Sequence, residues 1–360
     1  RSPLAFYAMA SAFLFLCSLG PRPELLGTQV LYEPPYRWLM RLPIFASDIR
    51  APARFAMPAI LALSVASAIA SVRLGGLRSV GRFALPVVVC GLLADTWVRE
   101  FPLVPMPDNW SPSRADDSRA VLELPLGDIE PDVAAMFRAV TRTAPTINGY
   151  SGYTPPHYSV LRRALQERDE TVLTRLADRG PVLVAVDTRR DADGRWRAQA
   201  EQTRGAAFVG EEGNWSFFRI SSPGNNRITC GDRRLAFSVA SAPSGHTAIR
   251  EMTDGQLETA WISETTQHAG DTIVLDLAQA ATLCSVVVWL GPTPESYPTA
   301  LAIDTSLDAR SWATVFSGKM GGLVLTASID HPAESPVEIA LGGMLAAHVR
   351  VRLLESHALY

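Results

Sequence analysis

The sequence is short of the residues from which most catalytic and metal centres are built. Its 360 residues include four cysteines and six histidines. No Cys-x-x-Cys pair occurs and no His/Cys cluster forms, so zinc is not expected. No carboxylates pair at a telling spacing, and no Ser/His/Asp arrangement stands out. Gly149-Tyr150-Ser151-Gly152 is not a nucleophile elbow, which needs Gly-x-Ser-x-Gly between a strand and a helix. A soluble hydrolase is therefore the poorest reading. An excess of one charge is also missing. Lys plus Arg number 33 against 36 Asp plus Glu, and the signs are interspersed, so nothing favours a nucleic-acid partner.

Long apolar runs are present, and they are concentrated. Mean hydropathy is only +0.10 overall, but the first hundred residues are strongly apolar and the rest is ordinary. Residues 4–19 and 56–72 carry no charge, and a third run covers 83–94, reaching about 98 if Asp95 lies at an interface. A membrane span needs about 20 mostly apolar residues. Three such runs are hard to bury in a small soluble domain, so they are read as three transmembrane helices. A signal peptide is not expected, because further spans follow and no cleavage site is evident. The loop 73–82 holds Arg73, Arg78 and Arg82 without an acid, which makes it cytoplasmic. Everything after about residue 99 then lies outside. The loop 20–55 lies outside too, despite Arg22, Arg37, Arg41, Arg50 and Arg54. The chain begins at Arg1 rather than Met, and the expectation is a fragment of a longer protein.

Cys17 and Cys90 fall in apolar runs and read as packing residues. Cys230 and Cys284 fall in the polar part, where an oxidising compartment permits a disulfide. Residues 100–118, rich in Pro, Ser and Asp, read as a linker leaving the membrane region 1–99. An α/β domain is expected over 119–222, in the order β-α-α-β-α-β-β. Its strands are 119–124, 182–186, 205–210 and 215–220, and its main helices are 131–143 and 157–179. Between those helices runs Asn148-Gly149-Tyr150-Ser151-Gly152-Tyr153-Thr154-Pro155-Pro156-His157-Tyr158. Asn148, Tyr150 and Tyr153 are candidate sugar contacts, because aromatic faces stack on sugar C–H surfaces and an amide both donates and accepts. A rigid Gly/Pro turn is the competing reading.

From Cys230 onward strand-like runs take over, at 235–239, 272–277, 285–290, 301–305, 313–316, 337–341 and 348–353. Short strands with turn signals between them predict a β-sandwich. One series stands out within it. Asp254-Gly255 is followed by Thr259-Ala260-Trp261, then by Gly270-Asp271-Thr272-Ile273-Val274-Leu275-Asp276-Leu277. Tyr297-Pro298 comes next, then Ser306-Leu307-Asp308-Ala309-Arg310-Ser311-Trp312. This series resembles the discoidin fold, the coagulation-factor C-type domain also used as a carbohydrate-binding module, over residues 230–358. The resemblance implies binding outside a cell, with sugar preferred over lipid headgroups or proteins. It implies a structural calcium held by Asp254, Thr259 and Glu355, with Gln256 lending a carbonyl, against a plain capped turn. It assigns Trp261 and Trp312 to packing. Sugar contacts come from loops, with Trp289, Tyr297, His268 and Arg310 as candidates. Residues 318–335 hold no aromatic side chain, which removes one loop as a stacking platform.

The segment Leu42-Pro43-Ile44-Phe45-Ala46-Ser47-Asp48-Ile49-Arg50-Ala51-Pro52-Ala53-Arg54-Phe55 resembles bacterial polytopic membrane proteins related to the GT-C glycosyltransferases, over about residues 1–220. Such proteins take sugars from polyprenyl-phosphate donors. Arg50 and Arg54 are candidates for pairing with a lipid phosphate, with interfacial anchoring as the plain alternative. The family's acidic catalytic residue lies in its first outer loop. None of Glu24, Glu33 and Asp48 is nominated as a catalyst here. The implied whole is a multidomain chain of transmembrane helices, a small α/β domain and an all-β discoidin-like sandwich at 230–358. It is placed in a bacterial inner membrane, transferring sugar to an extracytoplasmic glycan among membrane lipids. A non-catalytic, membrane-anchored binding protein is the alternative.

Overall fold

The computed structural model describes residues 2–25, 28–30, 33–42, 52–75, 81–97, 103, 105–115, 117–142, 144–224, 230, 233–291 and 293–356. The chain divides into two compact units, Arg1–Val104 and Pro105–Tyr360.

In the first unit, helix α1 (Pro3–Ser18) packs against α3 (Ala56–Gly75). The contact is lined by small residues: Ala59, Ala62 and Ala66 recur at helical spacing and are buried. Small side chains let two helix backbones approach closely, and Ser11 Oγ donates to the Ala59 carbonyl at 2.9 Å across the gap. A two-stranded hairpin, β1 (Glu24–Leu25) with β2 (Thr28–Gln29), and a short helix α2 (Pro35–Leu39) lie between them in sequence. Helix α4 (Gly81–Asp95) completes the unit and contains Pro86. The segment Pro52–Arg73 is helical over 22 residues, with mean hydropathy 2.0 and 17% of its apolar window buried. At 1.5 Å per residue it is long enough to cross a hydrocarbon core of about 30 Å. Three spans were expected. Among the described residues one helix has spanning length, while α1 and α4 have 16 and 15 residues. Arg54 is exposed on the first turn of the long helix. Arg50, like residues 43–51 generally, lies outside the described residues.

The second unit opens with a mixed sheet. Strand β3 (Ala120–Leu124) runs parallel to β4 (Val182–Asp187). Strand β4 then pairs antiparallel with β6 (Trp215–Ile220), and β6 with β5 (Ala206–Glu212), giving the order β3-β4-β6-β5. The central strand β4 is buried along its whole length, as an apolar run covered on both faces should be. One face carries Leu122, Leu124, Val184, Val186 and Phe218. It packs under α6 (Pro156–Gln166), α7 (Thr171–Leu176) and α8 (Arg195–Gln202) through Leu161, Leu165, Val172, Trp196 and Ala200. The other face carries Val121, Leu183, Ala185, Trp215 and Phe217, and packs on Trp110 and Ala115. The expected linker 100–118 is therefore partly a lid on the sheet: its Pro and Ser content marks irregular backbone, but Trp110 makes it core. Helix α5 (Ile129–Arg142) ties to the sheet through Arg138, whose Nε lies 2.9 Å from Glu123 Oε2, and Arg142, whose Nη2 lies 2.9 Å from Oε1.

The C-terminal part is a five-stranded sheet in the order β10-β9-β11-β8-β7, with β7 (Phe237–Ser241), β8 (Thr272–Trp289), β9 (Ala300–Ser306), β10 (Ala313–Lys319) and β11 (Pro336–Leu353). Two of these strands are 18 residues long. Residues 336–340 of β11 pair with 285–289 of β8, and 348–352 pair with 272–276, with register shifts between the two stretches. Each pair of short strands expected from sequence is thus one strand with bulges at its corners. Leu283 and Ile339 from one stretch share a core with Val349 from the other and Ile303 of β9. The all-β sandwich is thereby closed. A disulfide joins Cys230 to Cys284, with Cα atoms 5.7 Å apart.

Helix α9 (Gly321–Asp330) leaves the sandwich between β10 and β11 and lies against α6 and α7. Its Val324, Leu325 and Ala327 enter the same core as Leu161, Ala164, Leu165 and Leu173. The Gly321 amide donates to Asp169 Oδ2 at 2.7 Å, and the Gly322 amide donates to Thr171 Oγ1 at 3.2 Å. A Cβ on Gly321 would come within 2.5 Å of Asp169 Oδ2 and 2.7 Å of Ala164 Cβ, so only glycine allows this approach. Arg179 pairs with Asp330, and Arg163 donates to the Glu295 carbonyl. The α/β region and the sandwich are locked together.

Candidate functional site

Successive side chains of a strand alternate between faces, so His348, Arg350 and Arg352 of β11 share one face. Register sets their neighbours. Asp276 of β8 lies opposite His348, Asp304 of β9 opposite Arg350, and Thr314 of β10 opposite Asp304. His348 Nδ1 is 2.6 Å from Asp276 Oδ1. Arg350 Nε donates to Asp304 Oδ2 at 2.9 Å, and its Nη2 sits 2.8 Å from the same oxygen. Thr314 Oγ1 donates to Oδ1 at 2.7 Å. Arg352 is held more loosely, with Nε 3.4 Å from Oδ2 and Nη2 3.4 Å from Oδ1. The Asp304 side chain is 1% exposed. Burial alone would raise its pKa. Hydrogen bonds from Thr314, Arg352 and Arg350 outweigh burial and hold the carboxyl below its ordinary value. The two guanidiniums stay partly in solvent.

At the edge of this face the β9–β10 hairpin turns through residues 307–312. Asp308 organises it: its Oδ1 accepts the amides of Ser311 at 2.8 Å and Arg310 at 2.9 Å, and the Ser306 hydroxyl at 3.0 Å. Those backbone bonds, first from Ser311 and then from Arg310, draw its pKa down to about 2. The hairpin ends on Trp312, which is half-buried, with the Arg350 guanidinium 4.4 Å from its ring centroid. Arg310 is exposed at the tip. The result is a face of hydrogen-bonding side chains beside an aromatic ring, suited to a polyhydroxylated or anionic ligand.

The residues expected from sequence separate into two groups. Trp289, His268 and Arg310 reach solvent: Trp289 carries the Arg234 guanidinium 5.4 Å from its ring, and the His268 amide donates to Asp271 Oδ2 at 2.8 Å. Tyr150 and Tyr153 are also exposed. Tyr297 and Asn148 are not. Tyr297 is 2% exposed, under the Arg163 guanidinium at 4.7 Å, and burial pushes its hydroxyl pKa up. It belongs to the contact between the sandwich and the α/β region. Asn148 is buried with its amide satisfied. Its Nδ2 donates to the Glu123 carbonyl at 2.8 Å and to Asp132 Oδ1 at 3.0 Å, and its Oδ1 accepts the Glu123 amide at 2.7 Å. Both residues offer no face to a sugar, for reasons of packing that residue type does not reveal. Trp261 packs beside Gly245, where a Cβ would come within 2.3 Å of its Nε1. His348, Arg350, Arg352 and Asp304 escaped the sequence reading. Their signal was an alternation of basic side chains along 348–352 facing an acid in β9.

The donor atoms for the implied calcium lie at the Asp254 turn. Asp254 Oδ2 accepts the Thr259 hydroxyl at 2.8 Å, Oδ1 accepts the Gln256 amide at 2.9 Å, and the Gln256 carbonyl lies 3.1 Å from Thr259 Oγ1. Asp254, Thr259 and Gln256 thus bring three oxygens together, about half of the six to eight that calcium takes. The backbone bond from Gln256, then the Thr259 bond, lower the Asp254 pKa, which keeps a carboxylate there. Glu355 is engaged elsewhere, with Lys319 Nζ 2.7 Å from Oε1 and 2.8 Å from Oε2, and the Thr299 hydroxyl 2.8 Å from Oε2. The turn fits part of a calcium shell, and Glu355 is matched by an ammonium.

Residues 237–359 match the family described as the F5/8 type C domain. This is about a third of the chain, and it supports the discoidin resemblance for the sandwich. No curated protein matches the chain. Among solved structures, the CBM32 of AlyQ in complex with 4,5-unsaturated mannuronic acid is 18% identical, covering 34% of this chain and 84% of that one, with a TM-score of 0.26. CBM32-3 of a family 31 glycoside hydrolase from Clostridium perfringens is 20% identical, covering 34% and 80%, with a TM-score of 0.26. Chitosan-binding module 1 of a chitosanase/glucanase from Paenibacillus sp. IK-5 is 19% identical, covering 34% and 85%, with a TM-score of 0.26.

Proposed function

We propose that the C-terminal sandwich is a glycan-binding module whose recognition surface is the polar sheet face around His348, Arg350 and Arg352, together with the Arg310 hairpin. The family match of residues 237–359 supports the class. The observation that carries the site is the row of partly exposed donors and acceptors beside Trp312. Sugar hydroxyls both donate and accept, and paired Asp/His and Arg side chains answer both needs. Trp289 and His268 are outlying candidates, and Tyr150 and Tyr153 offer a separate exposed surface on the α/β region. The detergent-solubilised chain, screened by glycan array and calorimetry, is expected to bind at least one glycan class and to weaken about tenfold in His348→Ala. Binding of lipid vesicles or proteins with no glycan bound defeats this reading.

The wider setting is proposed with it. The chain is the C-terminal portion of a bacterial inner-membrane protein of GT-C type, which moves sugar from a polyprenyl-phosphate donor to an extracytoplasmic glycan held by the module. Arg50 and Arg54 would contact the lipid phosphate. The apolar helix Pro52–Arg73 supports a membrane position. Labelling of single cysteines placed after residue 105 from the outside of intact cells tests the orientation. Labelling only after lysis overturns it.

A further inference from the structure

We infer that the glycan taken by this face is acidic, a chain of uronic-acid or similarly anionic sugars. This inference rests on the glycan-binding reading above and assigns its ligand class. Burial of the Asp304 carboxylate calls for one cation. Arg350 meets that need by itself, with two contacts under 3 Å to Oδ2, and Thr314 satisfies Oδ1. Arg352 is therefore surplus. Both of its contacts are 3.4 Å, and its Nη1 makes no hydrogen bond to a described residue. Nη1 of Arg350 is likewise without a described partner. The two guanidiniums stand two residues apart on one face of β11, roughly 7 Å along the strand. They leave donors toward solvent, with two guanidiniums on the face against the carboxylates of Asp304 and Asp276. Asp276, the other carboxylate on this face, already accepts from or pairs with His348.

Guanidinium presents planar, paired donors that match a carboxylate in two parallel bonds. A neutral sugar offers no carboxylate to such a fork. Trp312 lies 4.4 Å from the Arg350 guanidinium and Asp304 takes its Nε and Nη2, so the side chain is held before a ligand arrives. Arg310, exposed at the hairpin tip two residues before Trp312, adds a further cation at the edge.

The test uses the full chain in detergent, with hexasaccharides of polyguluronate, polygalacturonate, cellulose and chitin as probes. At 50 mM and 300 mM NaCl, calorimetry is expected to give at least tenfold tighter binding to one acidic probe than to either neutral one. Affinity for it should fall at the higher salt. Arg352→Gln should lower acidic binding at least tenfold, a larger loss than for any neutral probe, with thermal unfolding measured beside it because Arg352 also touches Asp304. Arg310→Gln, remote from Asp304, gives a second reading free of folding effects and should lower acidic binding at least threefold. Equal or tighter binding of a neutral probe, or acidic binding indifferent to both variants, overturns the acidic assignment while leaving the glycan reading standing. Binding of no glycan overturns both.

Discussion

The backbone amide of Gly321 donates to the carboxylate of Asp169, N to Oδ2 2.7 Å, across the junction between the sandwich and the α/β region. The same carboxylate, through Oδ1, accepts the Thr171 amide, the first of α7, at 2.8 Å. One buried side chain holds the starts of two helices from two regions.

Gly321→Ala is expected to destabilise the second unit. The added Cβ would meet Asp169 Oδ2 at 2.5 Å and Ala164 Cβ at 2.7 Å. Forcing extra volume into packed contacts costs about 1–3 kcal/mol. Chemical unfolding should show the loss, and limited proteolysis should cut between residues 221 and 236 faster than in the native chain. An unchanged unfolding midpoint would contradict the lock.

Asn148→Ala is expected to cost stability and leave glycan affinity alone. The change leaves the Glu123 amide and carbonyl and an Asp132 oxygen short of partners. Each buried group left unpaired costs about 1–3 kcal/mol. Calorimetric binding set beside thermal unfolding separates the two effects.

Reduction of Cys230–Cys284, or Cys284→Ser, should lower the unfolding temperature of the sandwich. The bridge closes a separation of 54 residues. In the chain-entropy account a loop of that size is worth about 4 kcal/mol, an upper figure for many proteins. Unfolding with and without reductant measures it.

Acid should undo the β9–β10 hairpin late. The Asp308 pKa is drawn down to about 2 by backbone hydrogen bonds. A depressed pKa contributes stability that is fully present above the unfolded value, near 3.9, and is lost as pH falls through about 2. Carboxyl-carbon NMR should place its titration near 2. Asp308→Asn should flatten the acid limb of the stability curve between about pH 4 and 2.

Calcium at the Asp254 turn is proposed on three clustered oxygens. Millimolar calcium should raise the unfolding temperature, and Asp254→Ala should abolish the rise. Lys319→Met, which frees Glu355 from its ammonium, should strengthen the response if Glu355 contributes. No response in any of these proteins removes calcium from the module.

Much of the α/β region was legible because its signals are local. The apolar run at 182–186, the Gly213-Asn214 turn and the helical spacing before residue 142 each decide their own element. The site was less so. Tyr297 and Asn148 have the side chains of sugar contacts, and what buries them comes from far along the chain: Arg163 for Tyr297, Glu123 and Asp132 for Asn148. Residues 318–335, without an aromatic side chain, read as a loop, yet 321–330 form a helix because α6 and α7 receive it, with glycines at the point of closest approach. The basic row 348–352 reads as an ordinary strand until its register against Asp304 is known.

A module on a flexible tether searches a volume and must lose that freedom each time two parts of one chain grip one polymer. Helix α9 removes the search in advance. The sandwich and the α/β region then present their surfaces at a spacing set by the fold before anything binds, as on a gauge.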